Sequence, residues 1–453
     1  MGEGTPGVRS GIRVSFLVLV LLQSSVALGA VINAPTCQAT DVQATIDSAK
    51  DGDTVLIPAG TCTWTRTVSV AVPVTRAPKI LTLQGAGVDR TIIVHKVDPL
   101  DSTKSSSFFT SNALWWNSKD GGVSRLTGIT FRGGGLNDPY NKGMVVITGS
   151  SHHLRVDDCK FVPNGTHALS FWGYVWGVID HNRFDLSAAH GYATYIHHHS
   201  WNLPGSNYGD ASWADGNSFG TERAVFFEDN TVTNNQTVSL QYTAHDGWSG
   251  GRVVYRQNTY VNTTIGNHGT ESAGRWRGQR QFEIYENTFS LNGPIAWPDF
   301  VGSRGGVGVI YSNTAVTTNG ASVQRFAAIS VFRARTAYAP WGKCDGSSPW
   351  DGNDSGGWPC LDQPGRGESD LLSGTSPTPV GWPNQVSDPT YAWNNTVNGK
   401  VSGLVPNDPS VLIQNRDFFN SPRPGYESYT YPHPLVSGAA ATPPPGPTNL
   451  KVQ

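Results

Sequence analysis

The chain has 453 residues and a formal net charge of −2, from 32 Lys+Arg against 34 Asp+Glu. With a pI near 6.6 it carries no basic footprint, which excludes the electrostatic mode of nucleic-acid binding. Charged residues are only 15%, against about 25% in ordinary globular chains, and 52 Gly with 29 Pro suit a fold of many tight turns.

Residues 1–29 read as a secretory signal. Arg9 and Arg13 form the positive region, Val14 to Leu22 the apolar core, and Ala27 to Gly29 a small-residue cleavage site. The apolar run is short for a membrane span; an uncleaved anchor is the alternative. Later segments do not approach that length, so a secreted or cell-surface protein is expected, off the membrane once the signal is cleaved. Export permits disulfides. Spacing favours Cys37 with Cys62, closing the N-terminal end, and Cys344 with Cys360, pinning a Gly/Ser/Pro/Trp loop, with Cys159 a buried free thiol. No CxxC pair exists, so structural zinc is not expected.

Thr40 to Lys50 predicts a short amphipathic helix with Val42, Ile46 and Ala49 on one face and Thr40 or Asp41 as its cap. Asp51 to Gly60 reads as turn, strand, turn. Further strand segments follow at Lys79–Gly85, Arg125–Phe131, Leu154–Phe161 and Val178–Phe184. Four copies of one pattern then recur, centred on Asn230, Asn258, Asn287 and Asn313 and spaced 28, 29 and 26 residues apart. A fixed period in this range marks one unit stacked along an axis. Each asparagine ends an alternating apolar run, a strand signal. Counting back three places gives Phe227, Tyr255, Ile284 and Ile310, an inward column; counting back two gives Glu228, Arg256, Tyr285 and Tyr311, expected to face outward. Asparagine tolerates the left-handed conformation of a tight corner and can stack in hydrogen-bonded ladders. The pattern predicts an all-β, right-handed parallel β-helix with an N-terminal capping helix and long loop insertions.

Cap helix, Gly52-Asp-Thr-Val-Leu-Ile-Pro-Ala-Gly-Thr61, Leu83-Gln-Gly-Ala-Gly87 and the repeated Asn-Thr corners together resemble the right-handed parallel β-helix proteins of the pectin-lyase-like superfamily. The resemblance covers roughly residues 31–330. It implies one of several roles, among them polysaccharide lyase, glycoside hydrolase, esterase, epimerase or non-catalytic surface protein. The Trp-x-Asp-His pattern of pectate lyases and the paired-aspartate signature of polygalacturonases are absent.

Two stretches interrupt the period: Ser187 to Thr221, rich in His, Trp, Gly and Asp, and Ala334 to about Tyr391, containing Trp341, Trp350, Trp358 and Trp382. Long insertions are more often functional than not. The expected domain plan is a signal at 1–29, the β-helix at 30–435, a Pro-rich linker at 436–447 and, from 448 to 453, the start of a fibronectin type III-like module.

The densest polar cluster runs from Asn267 to Glu283. His268, Glu271, Arg275, Arg277 and Arg280 precede one strand, His245 and Asp246 hold a matching place one rung earlier, and Arg304 follows one rung later. Arginines pair bidentately with carboxylates, which suits a uronate-bearing polysaccharide. In β-elimination a cation neutralises the sugar carboxylate and a base takes the neighbouring C5 proton. His245 or His268 would be the base, Arg275 and Arg277 the carboxylate clamp, Trp248 and Trp276 stacking surfaces, and Arg280 and Arg304 further contacts. The same charges can instead form an ion-pair network on the outer face. A hydrolase needs two carboxyls; Asp246 with Glu271, or Asp210 with Asp215, would supply them. A non-catalytic glycan-binding protein is the third class. His190 and His197–His199 lack ligand spacing for a metal, whereas Asp345, Asp351, Asn353 and Asp354 are spaced for Ca2+ or for plain turns. A monomer binding polysaccharide, with no nucleic acid and no required cofactor, is the expectation.

Overall fold

One rung shows how the local sequence writes the coil. Arg252–Arg256 is an alternating strand, Gln257 turns left-handed at φ 57°, Asn258 is buried at the corner, and Thr259–Val261 is the next strand. The chain then reaches a third strand, Thr264–Gly266, before starting the next turn. The computed structural model describes residues 1–2, 4, 29–71, 77–98, 111–135, 143–187, 191–198, 216–234, 243–269, 278–292, 299–319, 325–330, 364–368, 386–407, 409 and 412–438. In it, repetition of this rung produces three parallel sheets of 12, 11 and 10 strands, called here the first, second and third in the order each turn visits them. The molecule is a parallel β-helix.

The register is residue by residue. Phe227, Tyr255, Ile284 and Ile310 pair across successive strands of the first sheet and all lie in the core. On the second sheet, in the rungs before these, Phe131, Phe161 and Phe184 stack at 5.7 and 5.0 Å between ring centroids. Equivalent positions meet at every rung because parallel strands about 4.8 Å apart place them directly over one another. The earlier segments read as rungs are strand pairs of this kind, such as Leu154–Asp157 with Lys160–Val162.

The asparagine corner works differently from the expectation. The left-handed residue is the one before each asparagine: Asp229, Gln257, Glu286 and Ser312, with φ between 53° and 57°. The asparagines are buried and act through their amides. Asn258 Oδ1 accepts from the Asn230 backbone N–H at 2.9 Å, and Asn258 Nδ2 donates to Phe227 O at 2.7 Å and to Asn287 Oδ1 at 3.0 Å. The ladder also extends beyond the four repeats. Asn182 joins before Asn230, and Asn395 after Asn313. Cys159 begins it, a buried free thiol whose backbone N–H donates to Asn182 Oδ1 at 2.9 Å.

The capping helix is Ala39–Ser48, with Val42 and Ile46 buried against the first rung. Neither Thr40 nor Asp41 caps it. The N-cap is Gln38, which makes no side-chain cap bond; Thr36 instead accepts from Gln38 N at 3.1 Å and donates to Asp41 at 2.5 Å. The Cys37–Cys62 disulfide fastens this end to the second sheet. Cys344 and Cys360 lie outside the described residues, as do the signal segment from 5 to 28 and everything after 438.

Glu228, Arg256 and Tyr285 do face outward, yet they are buried and not solvated. A C-terminal strap from Arg423 to Gly438 runs back along the outer face of the first sheet and covers them. It ends in a helical turn, Pro434–Ser437, whose Leu435 packs beside Val178 and Phe226. One face of the coil is thus closed. The outer face of the third sheet carries the pocket described next.

Candidate functional site

From His245 onward the third-sheet strand Thr243–Trp248 alternates in and out, and that alternation divides two neighbouring candidates. His245 pairs with Thr194 and points into the coil. Its Nδ1 lies 2.6 Å from Thr194 Oγ1, its Nε2 lies 2.9 Å from Tyr260 OH, and its ring stacks on Tyr255 at 4.2 Å. Complete burial holds its imidazole well below the usual histidine range. It belongs to the interior and does not meet the outward groups. Its offset from the ladder fixes its place along the strand but not its face, and the inward face separates it from the polar patch expected to hold it.

Asp246 and Trp248 face out. The Asp246 carboxylate accepts from its neighbour Gly247 N at 2.9 Å, from Trp248 Nε1 at 3.0 Å and from His268 Nδ1 at 2.6 Å. The Trp248 ring stands 4.1 Å from the His268 ring. His268 is also fixed through its backbone: its N–H donates to Gly247 O at 3.1 Å and its carbonyl accepts from Gln279 N at 2.9 Å. With Nδ1–H directed at a carboxylate, the basic position of this imidazole is Nε2. Asp246 thereby sets tautomer and ring orientation together.

Asp246 and His268 border a pocket of about 250 Å³. Arg304 lines it too, held where Asn267 Oδ1 accepts from its backbone N–H at 2.7 Å and Asn267 O accepts from its Nε at 2.9 Å. The floor is formed by Gly266, Gly302 and Ala328, paired on three successive strands, while their neighbours Ile265, Val301 and Ala327 point into the core. Asp299, another lining residue, is ion-paired with Arg325, which also donates to Asn407 Oδ1 at 3.0 Å. Burial pushes the Asp299 carboxyl up against the opposing pull of Arg325. The arrangement sets a carboxylate-oriented imidazole and an arginine around one small space.

Sequence reasoning therefore brought Asp246, His268, Trp248 and Arg304 to one place, and the structure keeps them together. Arg280 is fully buried and does not line the pocket. Glu271, Arg275, Trp276 and Arg277 lie outside the described residues, as do His190, His199, Asp210, Asp215, Asp345, Asp351, Asn353 and Asp354. His197 is buried on the outward side against Trp172 at 3.8 Å, and His198 is bonded to Val175 O. Asp299, Tyr192 and the glycine floor were missed. Asp299 stands at nearly the offset from Asn313 that His245 has from Asn258, so the same count would have found it. No protein-family model matches the chain, and no curated protein matches it either.

Proposed function

We propose that this chain is an exported polysaccharide lyase of the pectin-lyase-like kind, cleaving a uronate-containing glycan by β-elimination at the Asp246–His268–Arg304 pocket. The observation that carries the reading is the 2.6 Å contact from His268 Nδ1 to Asp246 in a pocket shared with Arg304. Arg304 would pair with the uronate carboxylate, drawing charge from C5 and making its proton removable. His268 Nε2 would take that proton. The C5 electron pair then forms the C4=C5 double bond, the C4–O bond breaks, and the departing oxygen collects a proton from His268 or from water. Asp246 stabilises the imidazolium formed midway. The disulfide at the N-terminal end suits an oxidising, extracellular setting, and no helix among the described residues is long and apolar enough to cross a membrane.

A glycoside hydrolase is the second reading, favoured by one observation. Asp299 lines the same pocket as Asp246, and its carboxyl is pushed up by burial, the property a general acid needs. Incubation with uronate polysaccharides and with neutral glucans separates the two. Ultraviolet-absorbing unsaturated products from uronates support the lyase. Reducing ends without that absorbance would overturn it in favour of the hydrolase, and binding without either product would leave a glycan-binding surface protein.

A further inference from the structure

Most glycines within the strands have a packing reason. A Cβ on Gly308 would meet Phe282 at 2.1 Å, on Gly266 Thr243 at 2.8 Å, on Gly247 Gln279 at 2.6 Å, and on Gly177 the Leu154 carbonyl at 2.0 Å. Gly302 does not fit that rule. It lies inside the strand Asp299–Ser303, yet an added Cβ would meet nothing within 4 Å, and its φ is not in the left-handed range. Among the described residues, neither backbone conformation nor neighbouring atoms require glycine here. In a strand interior glycine is a net cost relative to alanine. The vacant direction is the pocket, whose floor Gly302 forms between Gly266 and Ala328.

We propose that Gly302 determines substrate fit: its bare Cα keeps the pocket deep enough for one face of a sugar ring to lie against the backbone of the third sheet. This deepens the reading of the pocket as a saccharide site and rests on it. Small floor residues leave the polar groups to the walls. Tyr192, Thr243, Asn267 and Arg304 line the space around the floor, so a ring seated on Gly302 would have its edges turned toward hydrogen-bonding groups. That is the usual form of a ligand site, an apolar contact face with a few placed polar atoms. A β-branched residue at 302 would fill that face and would also favour the strand.

The test is a size series, Gly302→Ala, Gly302→Ser and Gly302→Val, with oligogalacturonate and oligoalginate trisaccharides as probes. Calorimetric affinity, thermal midpoint and release of unsaturated product are read for each. Expected is an unchanged or higher midpoint throughout. Affinity falls with side-chain size, by on the order of 10- to 100-fold at valine. His268→Gln is the control: it slows release of unsaturated product by about 10²- to 10⁴-fold while leaving trisaccharide affinity within about threefold. If wild type binds a probe without forming product and valine removes the binding, the lyase reading fails while the role of Gly302 stands. Equal binding by wild type and Gly302→Val, or no binding of either probe by wild type, would overturn it.

Discussion

Arg256 lies on Glu228 with Nη2 2.6 Å from the carboxylate, and both side chains are completely buried. Every guanidinium donor is used. Nε and Nη2 reach Glu228, Nη1 reaches Tyr285 OH at 2.9 Å and Tyr429 O at 2.7 Å, and Nη2 also reaches Thr430 O at 2.8 Å. One arginine on the coil thus fastens the returning strap. Arg256→Ala leaves Glu228 buried under that strap without its ion-pair partner, which should cost about 3–5 kcal/mol. Denaturant unfolding would measure the loss, and chymotrypsin should cut the released strap after Tyr426 and Tyr429. Unchanged stability together with a protease-resistant strap would show that the apolar contacts of Leu435 suffice.

The corner geometry separates two adjacent residues by what each contributes. Asn258→Ala removes two donor contacts and leaves the Asn230 N–H without its acceptor in a dry interior. A loss of about 2–4 kcal/mol is expected. Gln257→Gly acts in the opposite sense. Gln257 is held at φ 57°, a conformation costing a side-chain-bearing residue about 1–2 kcal/mol, against about 0.5–1 kcal/mol of extra chain entropy for glycine. The variant should gain up to about 1 kcal/mol. Thermal midpoints moving the same way in both variants would contradict this assignment of roles.

The coil was legible because its signals are local and repeated: the inward column Phe227, Tyr255, Ile284 and Ile310 follows from strand parity alone. The corner was read one residue off, since a buried asparagine and a left-handed neighbour leave the same tight-turn signature in a sequence. His245 was misread because its distance from Asn258 says where along the strand it sits but not which way it points. The bulge between Thr243 and His245 where this strand meets the next makes that parity harder to carry forward. Burial of Glu228 and Arg256 was not legible at all. The strap that covers them lies more than 170 residues away in sequence, and no local pattern announces such a contact.

Acid should destabilise the fold through histidines that must stay neutral. His198 is the clearest case: Nε2 donates to Val175 O at 3.0 Å while Nδ1 accepts from Arg252 N at 3.1 Å, so no second proton has a place. Burial, then Arg252, lowers it to about 3. His433 is lowered to about 3 by burial and then by Arg256, with His153 and Arg155 also facing it. The unfolded chain takes up these protons near pH 6.5 and the folded chain does not. Each contribution is therefore intact above pH 6.5 and lost as pH falls toward 3, at up to about 1.4 kcal/mol per pH unit. His433→Asn keeps an acceptor for the Leu435 N–H and removes one such proton. Its stability should fall less steeply than wild type between pH 6.5 and 4, by about one proton's slope. Parallel curves would show that His433 is not held neutral.

The proposed chemistry assigns different kinetic losses to His268, Asp246 and Arg304, and none to the neighbouring His245. His268→Gln removes the base and should lower kcat by about 10²- to 10⁴-fold on a uronate polymer, with KM little changed. Asp246→Asn removes the carboxylate that orients His268 and stabilises its charged form, so kcat should fall at least about 10-fold. Arg304→Ala should act on affinity for the carboxylate, by about 1.5–3 kcal/mol or roughly 10- to 150-fold, with a far smaller effect on a neutral glycan. His245→Gln is the internal contrast. It sits one residue from Asp246 but inside the coil, so it should lower the thermal midpoint by disturbing Thr194 and Tyr260 while kcat of the folded protein holds. Kinetics on a uronate polymer, with stability measured in parallel, decide the matter. A collapse of kcat in His245→Gln at full folding, beside an active His268→Gln, would place the chemistry elsewhere.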